Sequence, residues 1–159
     1  MLRHNIYLDH AATTCVDERV IHAMLPLFNR EYGNASSLHQ YGTLAKEVLE
    51  HAREVIAGFI GAGRDELYFT SGGTESNNWA LKGIAAANRH KGRHIIVSSI
   101  EHDCVLNTCE WLSGEGFHIA YLPVDHHGMV DSRQLEECIN PETILVSVMH
   151  ANNEIGTIE

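Results

Sequence analysis

Three short segments carry residue types that could do chemistry. The first is Ser71-Gly72-Gly73-Thr74, set between an apolar run and a helical pattern. Two glycines let a ligand approach the backbone closely. The free N–H groups of a helix's first turn attract an anion, and Thr74 adds a hydroxyl donor. A phosphate group fits there, although a plain strand-to-helix turn capped by Thr74 would read the same way. The second segment is Glu101-His102, just past the run Ile95-Ile96-Val97. An imidazole there can lie flat against an aromatic ring or move a proton, and an ordinary loop histidine is the alternative in a chain with 12 of them. The third is Asn152-Asn153, past the most apolar run of the chain. An amide is a donor that does not titrate, suited to a phenolate or carboxylate, and equally suited to a local turn.

Other chemistries find less support. The glycine turn is neither Gly-x-Gly-x-x-Gly nor Gly-x-x-x-x-Gly-Lys-Ser/Thr, which argues against dinucleotide and nucleoside-triphosphate sites. No histidine pair has metal-ligand spacing with carboxylate support, and His126-His127 reads as a solvated turn. Cys15, Cys104, Cys109 and Cys138 form no Cys-x-x-Cys unit. They read as small apolar filler in a reducing compartment.

The elements that must position these residues alternate short apolar runs with helical stretches, the mark of an α/β domain. Ile6-Tyr7-Leu8 is a short extended piece before the small-residue turn Asp9-His10-Ala11-Ala12-Thr13-Thr14. Asp17 caps a helix bearing Val20, Ile21, Met24 and Leu25, which Pro26 kinks or ends. Thr43 opens a helix with the stripe Leu44, Val48, Ala52, Val55, Ile56 and Phe59, stopped by Gly61. Leu67-Tyr68-Phe69-Thr70 reads as a buried strand, and a helix follows from about Glu75 to Asn88. Strands are expected at His94–Ser98, Phe117–Leu122 and Thr143–Met149. Helices are expected over Asp103–Ser113 and from a Ser132 cap to about Cys138. Strands this apolar are covered on both faces, as in a mostly parallel sheet. Ligands of such sheets gather beyond the carboxyl ends of the strands, where all three segments fall.

Composition narrows the field further. Hydrophobic residues make up 44% of the 159, enough for one packed core, and charged residues 20%. Eleven Lys and Arg against 21 Asp and Glu give a formal net charge of −10. That balance opposes binding to nucleic acid or anionic membrane surfaces. Met1-Leu2-Arg3-His4-Asn5 lacks the profile of a signal peptide, and no apolar run nears the ~20 residues a membrane span needs. A cytoplasmic protein is expected. The chain also stops after its most strand-like run without a covering helix, which reads as truncation.

Taken in order, five segments resemble the cysteine desulfurases of iron–sulfur cluster assembly, within the class-V aminotransferases. They are the Ile6–Thr14 segment, Gly33-Asn34-Ala35-Ser36-Ser37-Leu38-His39, the Phe69–Asn78 segment, Glu101-His102, and Met149-His150-Ala151-Asn152-Asn153-Glu154-Ile155-Gly156. The resemblance implies fold type I of the pyridoxal-phosphate (PLP) enzymes, the aspartate-aminotransferase-like α/β fold. Residues 1–16 would line the substrate side, and residues 17–159 would be the N-terminal part of the PLP-binding large domain.

It also implies a homodimer that takes sulfur from L-cysteine, leaving L-alanine and an enzyme persulfide. That sulfur would pass to an iron–sulfur scaffold or other acceptor protein, or to thiolated tRNA. Gly73 and Thr74 would then hold the cofactor phosphate. His102 would stack on the pyridine ring and act as the catalytic proton carrier. Asn153 would bond the phenolic oxygen and lie close to the substrate carboxylate, with Ala11, Ala12 and Thr13 on the substrate side. Cys15 and Ala35 stand where the family commonly has proline, and Gly73 where it has alanine. The family's Schiff-base lysine and persulfide cysteine lie beyond the matched region, so this chain alone is expected to be inactive. Of its own lysines, Lys82 lies about 12 Å along a helix from the phosphate end and should face solvent. A selenocysteine lyase, another class-V relative, or a short cofactor-binding half with a separate partner are the rival readings.

Overall fold

The computed structural model describes residues 6–159; the reading of Met1–Asn5 and the first residues of the 1–16 segment lie outside them. The chain forms two compact units, Met1–Phe69 and Thr70–Glu159.

The first unit is helical. Helix α1 runs Glu18–Asn29, with the Asp17 carboxylate accepting from the Arg19 N–H at 2.8 Å as its N-cap. Pro26 does not end this helix, which continues for three more residues. Proline removes one N–H and crowds the preceding turn, but so near the C-terminus it forfeits only a single bond. Helix α2 runs Gln40–Ile60 and starts three residues earlier than Thr43, because His39 supplies the cap. It stops at Gly61, whose φ of 69° places it in the left-handed region that suits glycine. The expected apolar stripe is helical but largely open: Leu44, Val55 and Phe59 are all exposed.

Leu67–Thr70 is not a buried strand. A single 3₁₀ turn, Arg64–Glu66, leads into an irregular stretch in which Tyr68 and Phe69 are exposed. No strand pairs with it among the described residues. Instead the Arg53 guanidinium donates to the Leu67 carbonyl and sits 4.9 Å from the Phe69 ring centroid. A side chain of α2 thus takes over the role a sheet neighbour would have had.

The second unit is α/β. Its elements are α3 (Gly73–Asn88), β1 (His94–Ser98), α4 (Asp103–Gly114), β2 (His118–Leu122), α5 (Ser132–Cys138) and β3 (Thr143–Ser147). The strands form one parallel sheet in the order β2-β1-β3. Parallel neighbours need a crossover, which α4 supplies between β1 and β2. Residues alternate across a strand, so Ile95 and Val97 face one side of β1 and Ile96 the other; all three are fully buried. Ile95 and Val97 pack with Leu81 and Ala85 of α3 and with Val105, Cys109 and Leu112 of α4. Each fully buried aliphatic side chain contributes roughly 1.5–3 kcal/mol, so this helix–sheet layer holds the strand ends in place.

Strand β3 is shorter than expected, and it is not buried on both faces. It lies at the edge of the sheet beside β1, and Val146 is exposed. The cap of α5 is Asp131 rather than Ser132, its carboxylate accepting from the Arg133 N–H at 2.9 Å.

Candidate functional site

The site is built from the start of α3, the turn from β1 into α4, and the turn after β3; the first of these follows an irregular stretch and not the expected strand. Helix α3 begins at Gly73, with Gly72 as N-cap, so Thr74 is a first-turn residue and not the cap. The Ser76 N–H makes the first bond back, to the Gly72 carbonyl at 3.1 Å. Among the described residues the N–H groups of Gly73, Thr74 and Glu75 have no acceptor, as the opening of a helix dictates. A methyl group on Gly72 or Gly73 would meet nothing within 4 Å, so the turn is open to a ligand. Glu75 folds back: its carboxylate accepts from the Ser71 N–H at 2.6 Å and the Ser71 hydroxyl at 2.7 Å. These bonds, the backbone one foremost, hold its carboxyl below the ordinary carboxylate range.

His102 caps α4. Its Nδ1 accepts from the Cys104 N–H at 3.1 Å, so a neutral ring carries its proton on Nε2. The bond lies in the ring plane and fixes the ring's orientation without covering a face. The preceding residue, Glu101, is 8% exposed, and its Oε1 has no partner among the described residues. Burial pushes its carboxyl above the ordinary range, opposed by the Met149 backbone N–H.

After β3 the chain enters a compact turn. Asn152 Oδ1 accepts from the N–H groups of Glu154 at 2.9 Å and Ile155 at 3.1 Å, while its Nδ2 donates to the Ile100 carbonyl at 3.1 Å. A cavity of about 330 Å³ opens between this turn and the β1–α4 turn, lined by Ile100 to Asp103 and Asn152 to Ile155. Small-molecule sites run from ~300 to 1,000 Å³. His102 and Asn153 therefore share one cavity. Gly73 and Thr74 are not among its lining residues, but the Asn77 amide donates to the Cys104 thiol at 3.2 Å. The N-terminal halves of α3 and α4 are thereby adjacent.

Ala11, Ala12 and Thr13 lie in the first unit, in an exposed turn. There the Tyr7 hydroxyl reaches the carbonyls of Asp9 at 2.8 Å and Thr13 at 3.0 Å. A hollow of about 480 Å³ in the same unit lies along α2 and the 35–38 loop, away from any strand end. Lys82 does not simply face solvent; its Nζ stands 4.6 Å from the Trp111 ring centroid, a cation–π contact. Cys104 and Cys109 are buried, as filler residues would be. His126 and His127 lie exposed in a turn held by the Asp125 carboxylate, and no metal-ligating group of three forms among the described residues.

Glu101 and Asn152 stand within the segments singled out from the sequence, but there residue type assigns the chemistry to His102 and Asn153 alone. The available signal was position: each is the neighbour of a named site residue at a strand's carboxyl end, where a polar residue either faces the site or braces it.

Residues 6–159 match the family model described as aminotransferase class-V. This chain belongs to the class-V aminotransferases. It is 54% identical over 154 residues to the cysteine desulfurase IscS of Methanosarcina thermophila, covering 97% of this chain and 38% of that protein. A putative cysteine desulfurase of Bacillus subtilis is 51% identical, covering 97% and 41% respectively. Among solved structures, a NifS-like protein superposes with a TM-score of 0.93 at 44% identity, over 96% of this chain and 42% of that one. A structure of SspA in complex with cysteine gives 0.90 at 42% identity, over 96% and 44%. The chain thus spans about two fifths of the length of the curated relatives it matches. Its parallel sheet and flanking helices are those of the aspartate-aminotransferase-like fold. No helix among the described residues is long and apolar enough to cross a membrane.

Proposed function

We propose that this class-V aminotransferase chain forms the phosphate, ring and phenolate contacts of a PLP site in a cysteine desulfurase. The observation that carries this reading is the shared cavity of His102 and Asn153, with an open helix start beside it. The group fits the residues present. Unpartnered N–H donors at Gly73 and Thr74, with the Thr74 hydroxyl, suit a phosphate. His102 offers a ring face for stacking, and Asn153 a fixed donor for the phenolic oxygen. Bound there, PLP would supply the electron-withdrawing ring that lets bonds at an amino acid's Cα break. Residues of the chain would hold and orient it, and His102 would carry a proton. Ala11, Ala12 and Thr13 are assigned to the substrate side by family resemblance.

The substrate proposed is L-cysteine, in keeping with the relative solved with cysteine bound. The rest of the reading follows the family resemblance: a homodimer passing persulfide sulfur to an iron–sulfur scaffold or other acceptor. Four free cysteines suit a reducing cytoplasm. By itself the chain would bind the cofactor weakly and turn over no cysteine, since Lys82 is committed to Trp111 and Cys104 is buried.

Titration with PLP and with pyridoxal tests the reading. The phosphorylated form should bind at least about tenfold more tightly, and Thr74→Ala should erase most of that difference. His102→Asn keeps a capping side chain, so it should retain stability yet weaken PLP binding, whereas His102→Ala should also lose about 1 kcal/mol of stability. Equal binding of the two vitamers would defeat the assignment. A chimera in which this chain replaces the matched part of the Methanosarcina relative should release sulfide from cysteine.

A further inference from the structure

The turn after β3 is tied to the β1–α4 turn by one hydrogen bond, and a nearly buried carboxyl of the β1–α4 turn lies beside it. From the second turn, the Asn152 amide reaches across to the Ile100 carbonyl at 3.1 Å. From the first, the nearly buried Glu101 carboxyl lines the cavity shared by His102 and Asn153, where the Met149 backbone N–H acts on it. Each turn therefore contributes one side chain and one backbone group, and the two contacts flank that cavity. The neighbours of those two residues, Glu101 and Asn152, are the ones that cross. Nothing else in the cavity wall duplicates them: among the described residues the exposed side chains of His102, Asp103, Asn153 and Glu154 make no cross-turn bond.

We infer that Glu101 and Asn152 are positioning residues, forming a reciprocal latch that sets the spacing between His102 and Asn153. A carboxyl group so nearly buried, with one oxygen unpartnered, is costly to keep at a helix start unless it serves some such purpose. The latch rests on the proposed PLP reading for its use, but its existence does not. Asn152 cannot exchange roles with Asn153, because its Oδ1 is occupied by Glu154 and Ile155 and its Nδ2 by Ile100.

The charged and titratable groups facing Glu101 are few. Cys109, on α4, feels its charge. His102 and Asp103 flank it on its own turn, and Glu154 stands across the cavity. A neutral amide should therefore replace the carboxyl without losing the tie, since Gln keeps an acceptor for the Met149 N–H.

The experiment has two independent arms. In the first, amide hydrogen exchange is followed by NMR without cofactor, in wild type, Glu101→Ala, Glu101→Gln and Asn152→Ala. A latch predicts that Glu101→Ala speeds exchange at Met149 and also at Glu154 and Ile155 by about tenfold, that Asn152→Ala speeds exchange in residues 100–102, and that Glu101→Gln speeds exchange at none of these positions. Acceleration confined to each variant's own turn would overturn the latch. In the second arm, PLP affinity is measured by fluorescence. Each alanine variant should weaken it about tenfold, and the double variant no more than the weaker single one, because a latch opens once. Multiplying effects would also overturn it. If wild type binds no PLP, the cofactor reading fails while the exchange arm still decides the latch.

Discussion

The side-chain amide of Asn77 donates to the thiol of Cys104 at 3.2 Å, joining the second turn of α3 to the first turn of α4. Residues 27 positions apart in sequence thus bring the open N–H groups after Gly72 beside the helix capped by His102. Asn77→Ala should cost roughly 0.5–1.5 kcal/mol, read as a lowered thermal midpoint. It should also weaken PLP binding without altering the preference for PLP over pyridoxal, because the phosphate donors are untouched.

Thiol reactivity should follow burial. Cys15 is exposed, whereas Cys104 and Cys109 are buried. Burial first, and the nearby Glu101 second, push the Cys109 thiol up to about 11. Iodoacetamide at pH 8 should therefore label Cys15 within minutes and Cys109 only on unfolding. Mass spectrometry of the alkylated peptides gives the order directly, and early labelling of Cys109 would contradict the packing of α4 on β1.

The Glu101 carboxyl sets a pH dependence of definite sign. Its folded-state value is raised, chiefly by desolvation, so its preference for the protonated form stabilises the fold fully at pH below the unfolded value. That contribution is lost as pH rises through the raised folded value. Glu101→Gln is neutral throughout. Relative to wild type, this variant should gain thermal stability at pH 7–8 and lose that advantage near pH 4. The paired difference matters, because Glu75 and Asp125 have lowered values and weaken the fold of both proteins on acidification. An advantage independent of pH would refute the assignment.

Close backbone approach makes Gly92 intolerant of a side chain. A Cβ there would collide with the Glu142 backbone, whose carbonyl accepts from the His94 N–H at 3.0 Å. Gly92→Ala should cost about 1–3 kcal/mol by overpacking. Gly58→Ala, at a helical position with open space around it, should be neutral or stabilising by up to about 1 kcal/mol. Denaturant midpoints of the two variants compare them on one scale.

Much of the second unit was legible because its elements obey strong local rules. Ile95-Ile96-Val97 is too apolar and too short for anything but a buried strand, and β1 falls there. Gly61 ends α2 for the reason a left-handed residue must. The failures have physical causes as well. Leu67–Thr70 has strand composition, but a strand exists only where a neighbour pairs with it, and here Arg53 takes the Leu67 carbonyl. Capping by His39 and His102 went unread because imidazole is an uncommon cap, outside the Ser, Thr, Asp and Asn set. His102 and Asn153 were legible as types just past strand ends, whereas Gly73 and Thr74 follow an irregular stretch. The bracing by Glu101 and Asn152 was not, since it depends on which turns the sheet order β2-β1-β3 makes neighbours.

That sheet order also grades the unit's local stability. Strand β1 is hydrogen-bonded on both flanks, whereas β2 and β3 each leave one flank without a strand among the described residues. Peptide protons of Ile95 to Val97 should be the last to exchange, and those on the outer flanks among the first. A free flank on a parallel ribbon is also an invitation to whatever strand next comes within reach.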